Sequence, residues 1–179
     1  MSEEARVLRS DVASAAPVSA ATSPSSTSTP SPEVVGRHMF AADRASRGLG
    51  MRLLAIGAGT ARLQMTVRDD MLNGHEICHG GFITTLADSA FAFACNSNNQ
   101  VTVASGLSVE FLAPARSGDV LTADASEVSR GGRTGVYDMV VTNQHGARIA
   151  LVRGRSAALK GRTVIPLDAP AASTSKEHP

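Results

Sequence analysis

Hydrophobic periodicity changes twice along this chain, and only one long segment repeats with the period of a helix. Between residues 80 and 96, Phe82, Ile83, Leu86, Ala87, Ala90, Phe91 and Ala94 fall at i, i+1, i+4, i+5, i+8, i+9 and i+12. That spacing gathers them into one broad apolar stripe, which must be covered around much of the helix. The remaining apolar residues alternate with polar ones, as they do on strands with one dry and one wet face. Leu63, Met65 and Val67 interleave with Arg62, Gln64 and Thr66, so Met51 to Val67 reads as two strands about the turn Gly57-Ala58-Gly59. Alternation returns at Leu107, Val109 and Phe111, stops at Pro114, resumes from Val120 to Val128, and breaks at Arg130-Gly131-Gly132-Arg133. It continues through Tyr137, Met139 and Val141, and after Asn143-Gln144-His145-Gly146 a last strand runs from about Arg148 to Leu159. A short helix at 37–47, ending near Gly48 and Gly50, precedes all of these. Two strands, one long helix and four strands make an α+β fold, an antiparallel sheet wrapped around a single central helix.

The length of 179 residues allows one domain with a real core. From Ala13 to Pro32 every residue but Val18 is Ala, Ser, Thr or Pro, a composition that buries too little to offset its ordering entropy. Residues 1–32 are therefore expected to be a disordered extension, 33–165 the folded domain and 166–179 a flexible tail. A net charge of +1 with no long basic block, no Trp and one Tyr leaves neither a phosphate-tracking surface nor a stacking platform, so nucleic acid is not an expected partner. No stretch approaches the roughly 18 apolar residues of a membrane span, and the charged start lacks an apolar core like that of a secretory signal. Two cysteines make no disulfide framework. A cytoplasmic protein without membrane contact is the expectation.

Chemistry concentrates in Asn73-Gly74-His75-Glu76-Ile77-Cys78-His79-Gly80-Gly81, which leads into the helix, and in Asp88 two turns along it. A helix start carries unpaired N–H groups and partial positive charge, and Gly80 and Gly81 let another molecule come close. Such a start stabilises an oxyanion, while a carboxylate on the same helix can activate water or attack a carbonyl. The competing reading is a glycine turn before a core helix with Asp88 solvated on its polar side. His75, Cys78 and His79 have the residue types of a metal site but lack a fourth ligand, so no metal and no cofactor are expected.

These residues also carry a resemblance. The run from Asn73 through His79-Gly80-Gly81 to Leu86-Ala87-Asp88, followed by Val103-Ala104-Ser105, Phe111-Leu112-Ala113-Pro114, Gly118-Asp119 and Arg133-Thr134-Gly135, resembles the hotdog-fold acyl-CoA thioesterases over roughly residues 36–163. Within them it is most similar to the phenylacetate-degradation branch. The resemblance implies a hotdog fold in which two subunits pair their sheets edge to edge, as a homodimer or a dimer of dimers (a homotetramer), and share their sites. It implies hydrolysis of an acyl-CoA, plausibly an aryl-acetyl or hydroxylated phenylacetyl thioester. Asp88 would be nucleophile or general base, the Gly80 N–H would polarise the thioester carbonyl, Asn73 would position water or thioester, and His79 would shape the loop beside Gly81. Ser105 would face the site from the partner, and the turn containing Arg130, Gly132, Arg133 and Thr134 would receive coenzyme A phosphates or pantetheine.

Each assignment has a structural alternative: His79 as a loop cap, Asn73-Gly74 as a turn pair, the Arg-Gly-Gly-Arg hairpin as a solvated turn. A hotdog hydratase or dehydratase using His79 and Asp88, and a non-catalytic acyl-CoA-binding protein, are the other functional classes such a chain could serve.

Overall fold

A computed structural model describes residues 29–167. Residues 1–28 of the expected extension and 168–179 of the expected tail lie outside them. The elements are α1 (Pro32–Ala42), α2 (Arg44–Gly48), β1 (Arg52–Gly57), β2 (Thr60–Thr66), a one-turn 3-10 helix (Asp69–Met71), α3 (Gly80–Asn96), β3 (Gln100–Phe111), β4 (Val120–Gly131), β5 (Thr134–Thr142) and β6 (Arg148–Thr163). All six strands join one antiparallel sheet in the order β1-β2-β4-β5-β6-β3. The α+β reading holds: one long helix lies in the concave face of a single sheet.

The short helix expected at 37–47 is two helices. Pro32 sits in the first turn of α1, where a missing N–H costs nothing, so the helix starts five residues earlier than the pattern suggested. Asp43 breaks it at φ −80°, ψ 93°, and its carboxylate accepts from the Ser46 N–H at 2.9 Å and the Ser46 hydroxyl at 2.6 Å, capping α2. Strand β3 starts at Gln100, well before Leu107, because a bulge between Ala104 and Gly106 disrupts the alternation upstream.

The stripe of α3 is the core. Leu86, Ala87, Ala90 and Ala94 are fully buried, with Phe91 and Phe93 nearly so, against Leu63, Met65, Leu121, Ala123, Tyr137, Met139 and Val141 from the sheet. The alanines keep the helix thin enough for a six-stranded sheet to curl around it. Phe91 packs against Tyr137 with ring centroids 5.2 Å apart and the rings tilted by 52°, and it fills the space a side chain on Gly154 of β6 would need. A carbon added to Gly154 would stand 2.9 Å from Phe91 Cε1 and 3.0 Å from Cζ, closer than side chains pack. Gly154→Val is therefore expected to cost about 1–3 kcal/mol of stability. An unchanged urea midpoint would show that the ring yields without penalty.

Both ends of α3 are tied down. At its start the Cys78 N–H donates to the Ala115 carbonyl at 2.8 Å and the His79 N–H to that of Met71 at 2.9 Å. At its end the Ser97 hydroxyl accepts from the Gly59 N–H at 2.8 Å, and Asn96 bonds both the N–H and the carbonyl of Thr102. The Glu127 N–H donates to the Gly59 carbonyl at 2.8 Å, which holds the β4–β5 hairpin near the C-terminal end of α3.

Candidate active site

The loop before α3 is built around Asn73. Its Oδ1 accepts from the His75 N–H at 2.9 Å and more weakly from that of Ile77 at 3.5 Å. Its own N–H donates to the Ile77 carbonyl, and Glu76 takes a φ of 59° to close the turn. The Asn73 Nδ2 donates to no described residue and remains free. The side-chain oxygen therefore builds the turn, and the amide nitrogen is left without a partner among the described residues.

His79 is the N-cap of α3. Its Nδ1 accepts from the Gly81 N–H at 3.0 Å, so the neutral ring carries its proton on Nε2. The His79 carbonyl takes the Phe82 N–H at 2.9 Å. Among the described residues, the Gly80 N–H, flanked by the partnered amides of His79 and Gly81, has no acceptor. Gly80 lines a cavity of about 520 Å³ together with Asn73, Ile77, Cys78, Ile83 and the Phe111–Pro114 segment. The cavity is mostly apolar, with the free Gly80 N–H and the free Asn73 amide at its wall.

Asp88 lies eight residues beyond Gly80, roughly 12 Å along the axis at about 1.5 Å per residue. It is half-buried and bonds to no described residue, and burial raises its carboxyl above the ordinary Asp value. Cys95, seven residues on and so on the same side of α3, has its sulfur 4.0 Å from the Thr102 carbonyl. Asp88 accordingly sits on the flank of the helix that faces β3, the strand whose outer edge is unpaired among the described residues. Burial also pushes the Cys78 thiol up, and that of Cys95 to about 12, so neither is a ready nucleophile.

The raised Asp88 carboxyl has a consequence for stability. The native state holds the proton more tightly than the unfolded chain, so stability declines as pH rises from about 3.8 through the folded value and levels off above it. Asp88→Asn removes this penalty. The variant should melt higher than the parent at pH 7–8, with the gain shrinking toward pH 4. A gain independent of pH, or a loss at pH 7, would show that the carboxylate is not held at a cost.

Other candidate residues are not gathered at this point within one chain. Ser105 is exposed on β3 and its hydroxyl donates to the Arg155 carbonyl at 3.0 Å. Arg130, Gly132, Arg133 and Thr134 form the exposed β4–β5 turn, with Gly132 at φ 59° and Arg130 Nε 3.5 Å from Glu127 Oε2. The turn lies toward the C-terminal end of α3, and the helix between it and Gly80 is about 25 Å long. His75 is exposed, and no group of three His, Cys, Asp or Glu able to hold a metal occurs among the described residues. Sequence alone gives Ile77, Ile83, Phe111 and Leu112 no role as cavity walls, although Phe111-Leu112-Ala113-Pro114 is part of the run that carries the resemblance. The alternation at Leu107, Val109 and Phe111 carried their face but not their neighbours.

Residues 75–150 match the model of the Thioesterase superfamily. The chain is 44% identical over 123 residues to the acyl-coenzyme A thioesterase PaaI of Escherichia coli strain K12, covering 69% of this chain and 88% of that protein. The chain belongs to the thioesterase superfamily. Its fold is the hotdog fold of that superfamily, and as a member it is an enzyme, a thioesterase. The solved E. coli PaaI structure superposes with a TM-score of 0.72 at 42% identity, covering 74% of this chain and 95% of that one. A Streptococcus mutans UA159 protein, smu.793, solved bound to acetyl CoA, superposes at 0.61 with 27% identity, covering 63% of this chain and 91% of that one. The superfamily match starts at His75 and so takes in His79, Gly80 and Asp88. No helix among the described residues is long and apolar enough to cross a membrane.

Proposed function

We propose that this thioesterase hydrolyses acyl-CoA thioesters, with an aryl-acetyl or hydroxylated phenylacetyl group as the acyl part. The observation that carries the reading is the unpartnered Gly80 N–H at the wall of an apolar cavity, on the helix that also bears a bare carboxylate. The thioester oxygen accepts from the Gly80 N–H at the positive end of α3, which draws charge from the carbonyl carbon. Asp88 of the same chain lies roughly 12 Å along α3 from Gly80, so the carboxylate that takes a proton from water here is that of the partner's Asp88, brought in across β3; the hydroxide adds to that carbon, and the tetrahedral oxyanion rests on the Gly80 N–H. Collapse breaks the C–S bond, releases the acid, and the coenzyme A thiolate takes up the proton. Direct attack by that carboxylate, followed by hydrolysis of the anhydride, uses the same groups. The free Asn73 amide orients water or thioester, and His79, as helix cap, holds Gly80 and Gly81 in place.

Asp88 overlooks the unpaired edge of β3, and Val103 and Leu107 on that strand are exposed. A twelve-residue edge of this kind is a template for pairing, so two copies join there as a dimer or a dimer of dimers in the cytoplasm. Pairing across β3 brings the partner's copy of Ser105, and the partner's Arg130 to Thr134 turn, toward the thioester and the coenzyme A. This offsets the separation of the turn from Gly80 within one chain. Light scattering at micromolar concentration should find no monomer; a stable, active monomer would rule out the shared site. The activity is tested by following thiol release over a panel of aryl-acetyl and aliphatic acyl-CoAs. Turnover with phenylacetyl- or hydroxyphenylacetyl-CoA as best substrate is the expected result, and a protein that binds every acyl-CoA without releasing thiol would be a binding protein instead.

A further inference from the structure

We propose that Phe111 is the residue that selects the acyl group. The inference rests on Gly80 as the site of the thioester carbonyl. If the carbonyl oxygen sits on the Gly80 N–H, the first acyl carbons lie within a bond or two of Gly80 and enter the cavity it lines. Phe111 is the wall of that cavity nearest to them. A carbon added to Gly80 would stand 2.7 Å from Phe111 Cζ and 3.2 Å from Cε1 and Cε2, so the tip of the ring rests on the glycine and fills the place of a side chain. The rest of the ring is open: Phe111 is 54% exposed and Leu112 beside it 53%. Uncovered aromatic surface next to an unpartnered N–H suits a ligand with a polar oxygen and an apolar group attached directly to it.

The ring is also held at a fixed place. Phe111 ends β3 in register with Ala150 of β6, and the next residue, Leu112, donates its N–H to the Ile149 carbonyl at 2.9 Å. Changing the side chain therefore alters the wall of the cavity and leaves the backbone that carries it paired. An acyl group with a planar ring one methylene from the carbonyl meets Phe111 ring to ring, in the offset or edge-to-face range for aromatic pairs. A short aliphatic acyl group reaches less of it.

The test measures kcat/KM for phenylacetyl-CoA and butyryl-CoA in the parent, Phe111→Ala, Phe111→Leu and Phe111→Tyr. The ratio of the two constants should fall about tenfold or more in Phe111→Ala, the scale on which a lost apolar contact discriminates substrates. It should fall less in Phe111→Leu and stay within about threefold of the parent in Phe111→Tyr, which keeps the ring. An unchanged ratio in Phe111→Ala, with both constants falling together, would mean that the ring supports the fold or the assembly, and would overturn the proposal. If the parent prefers another acyl group, the aryl-acetyl reading fails, and the same ratio taken for that group against butyryl decides Phe111. Gly80→Val separates the underlying reading: full activity there removes the carbonyl site, whereas an inactive Gly80→Val with an unchanged Phe111→Ala ratio removes only the role of Phe111.

Discussion

Asp88→Asn is expected to lower kcat by about 10² to 10⁴ while leaving the protein folded and able to bind a coenzyme A thioether. The magnitude is that of removing a positioned general base, and it is larger if a covalent anhydride is obligatory. The substitution keeps the shape of the side chain and takes away only the basic lone pair. Asp is a poor helix former, and in the middle of α3 no cap and no ion pair repays its presence. Its half-burial raises the carboxyl, which weakens the fold at neutral pH and brings the group closer to the pH at which a base works. Loss of stability and gain of basicity thus come from the same desolvation. Steady-state thiol release paired with calorimetric titration of a non-hydrolysable thioether separates the possibilities. Near-parental kcat in the Asn variant would falsify the mechanism, and loss of folding together with activity would assign Asp88 to the structure.

Gly80→Val is expected to reduce kcat/KM by on the order of 10² to 10³, the scale of one lost oxyanion donor. Two effects act in the same direction. The branched side chain meets the ring of Phe111, already 2.7 Å from the position of its first carbon, and it crowds the approach to the N–H beside it. The backbone itself has little room to move, since His79 caps Gly81 on one side and Met71 holds His79 on the other. Circular dichroism and melting confirm that the variant is folded before its kinetics are read. A valine variant as active as the parent would mean that the start of α3 is not where the carbonyl sits.

The α+β order was legible in the sequence because burial on one side of an element imposes its own period. Leu63, Met65 and Val67 could only be one face of a strand, and Phe82 to Ala94 only one face of a helix. The limits of α3 at Gly80 and Asn96 agree with the stripe. Where packing does not impose a period, the reading slipped. The bulge at Ala104 to Gly106 hid the first half of β3, and Asp43, which looks like any polar residue of a helix face, divides α1 from α2 because its carboxylate caps the second.

Asn73, His79, Gly80 and Asp88 were singled out from sequence because their residue types suit the chemistry and because the run resembles a known family. Sequence also determined that the catalytic candidates share one helix and its leading loop, since neighbours along the chain stay neighbours in space. It could not determine which N–H is left without an acceptor. That depends on His79 turning its Nδ1 to Gly81 and on Ala115 and Met71 reaching the loop from distant parts of the chain. Nor could it place Phe111 on Gly80, because the end of β3 returns to the start of α3 only through its pairing with β6. Local periodicity fixes the elements. The free donor, the half-buried carboxylate and the cavity at the start of α3 are products of long-range packing, which no local pattern encodes.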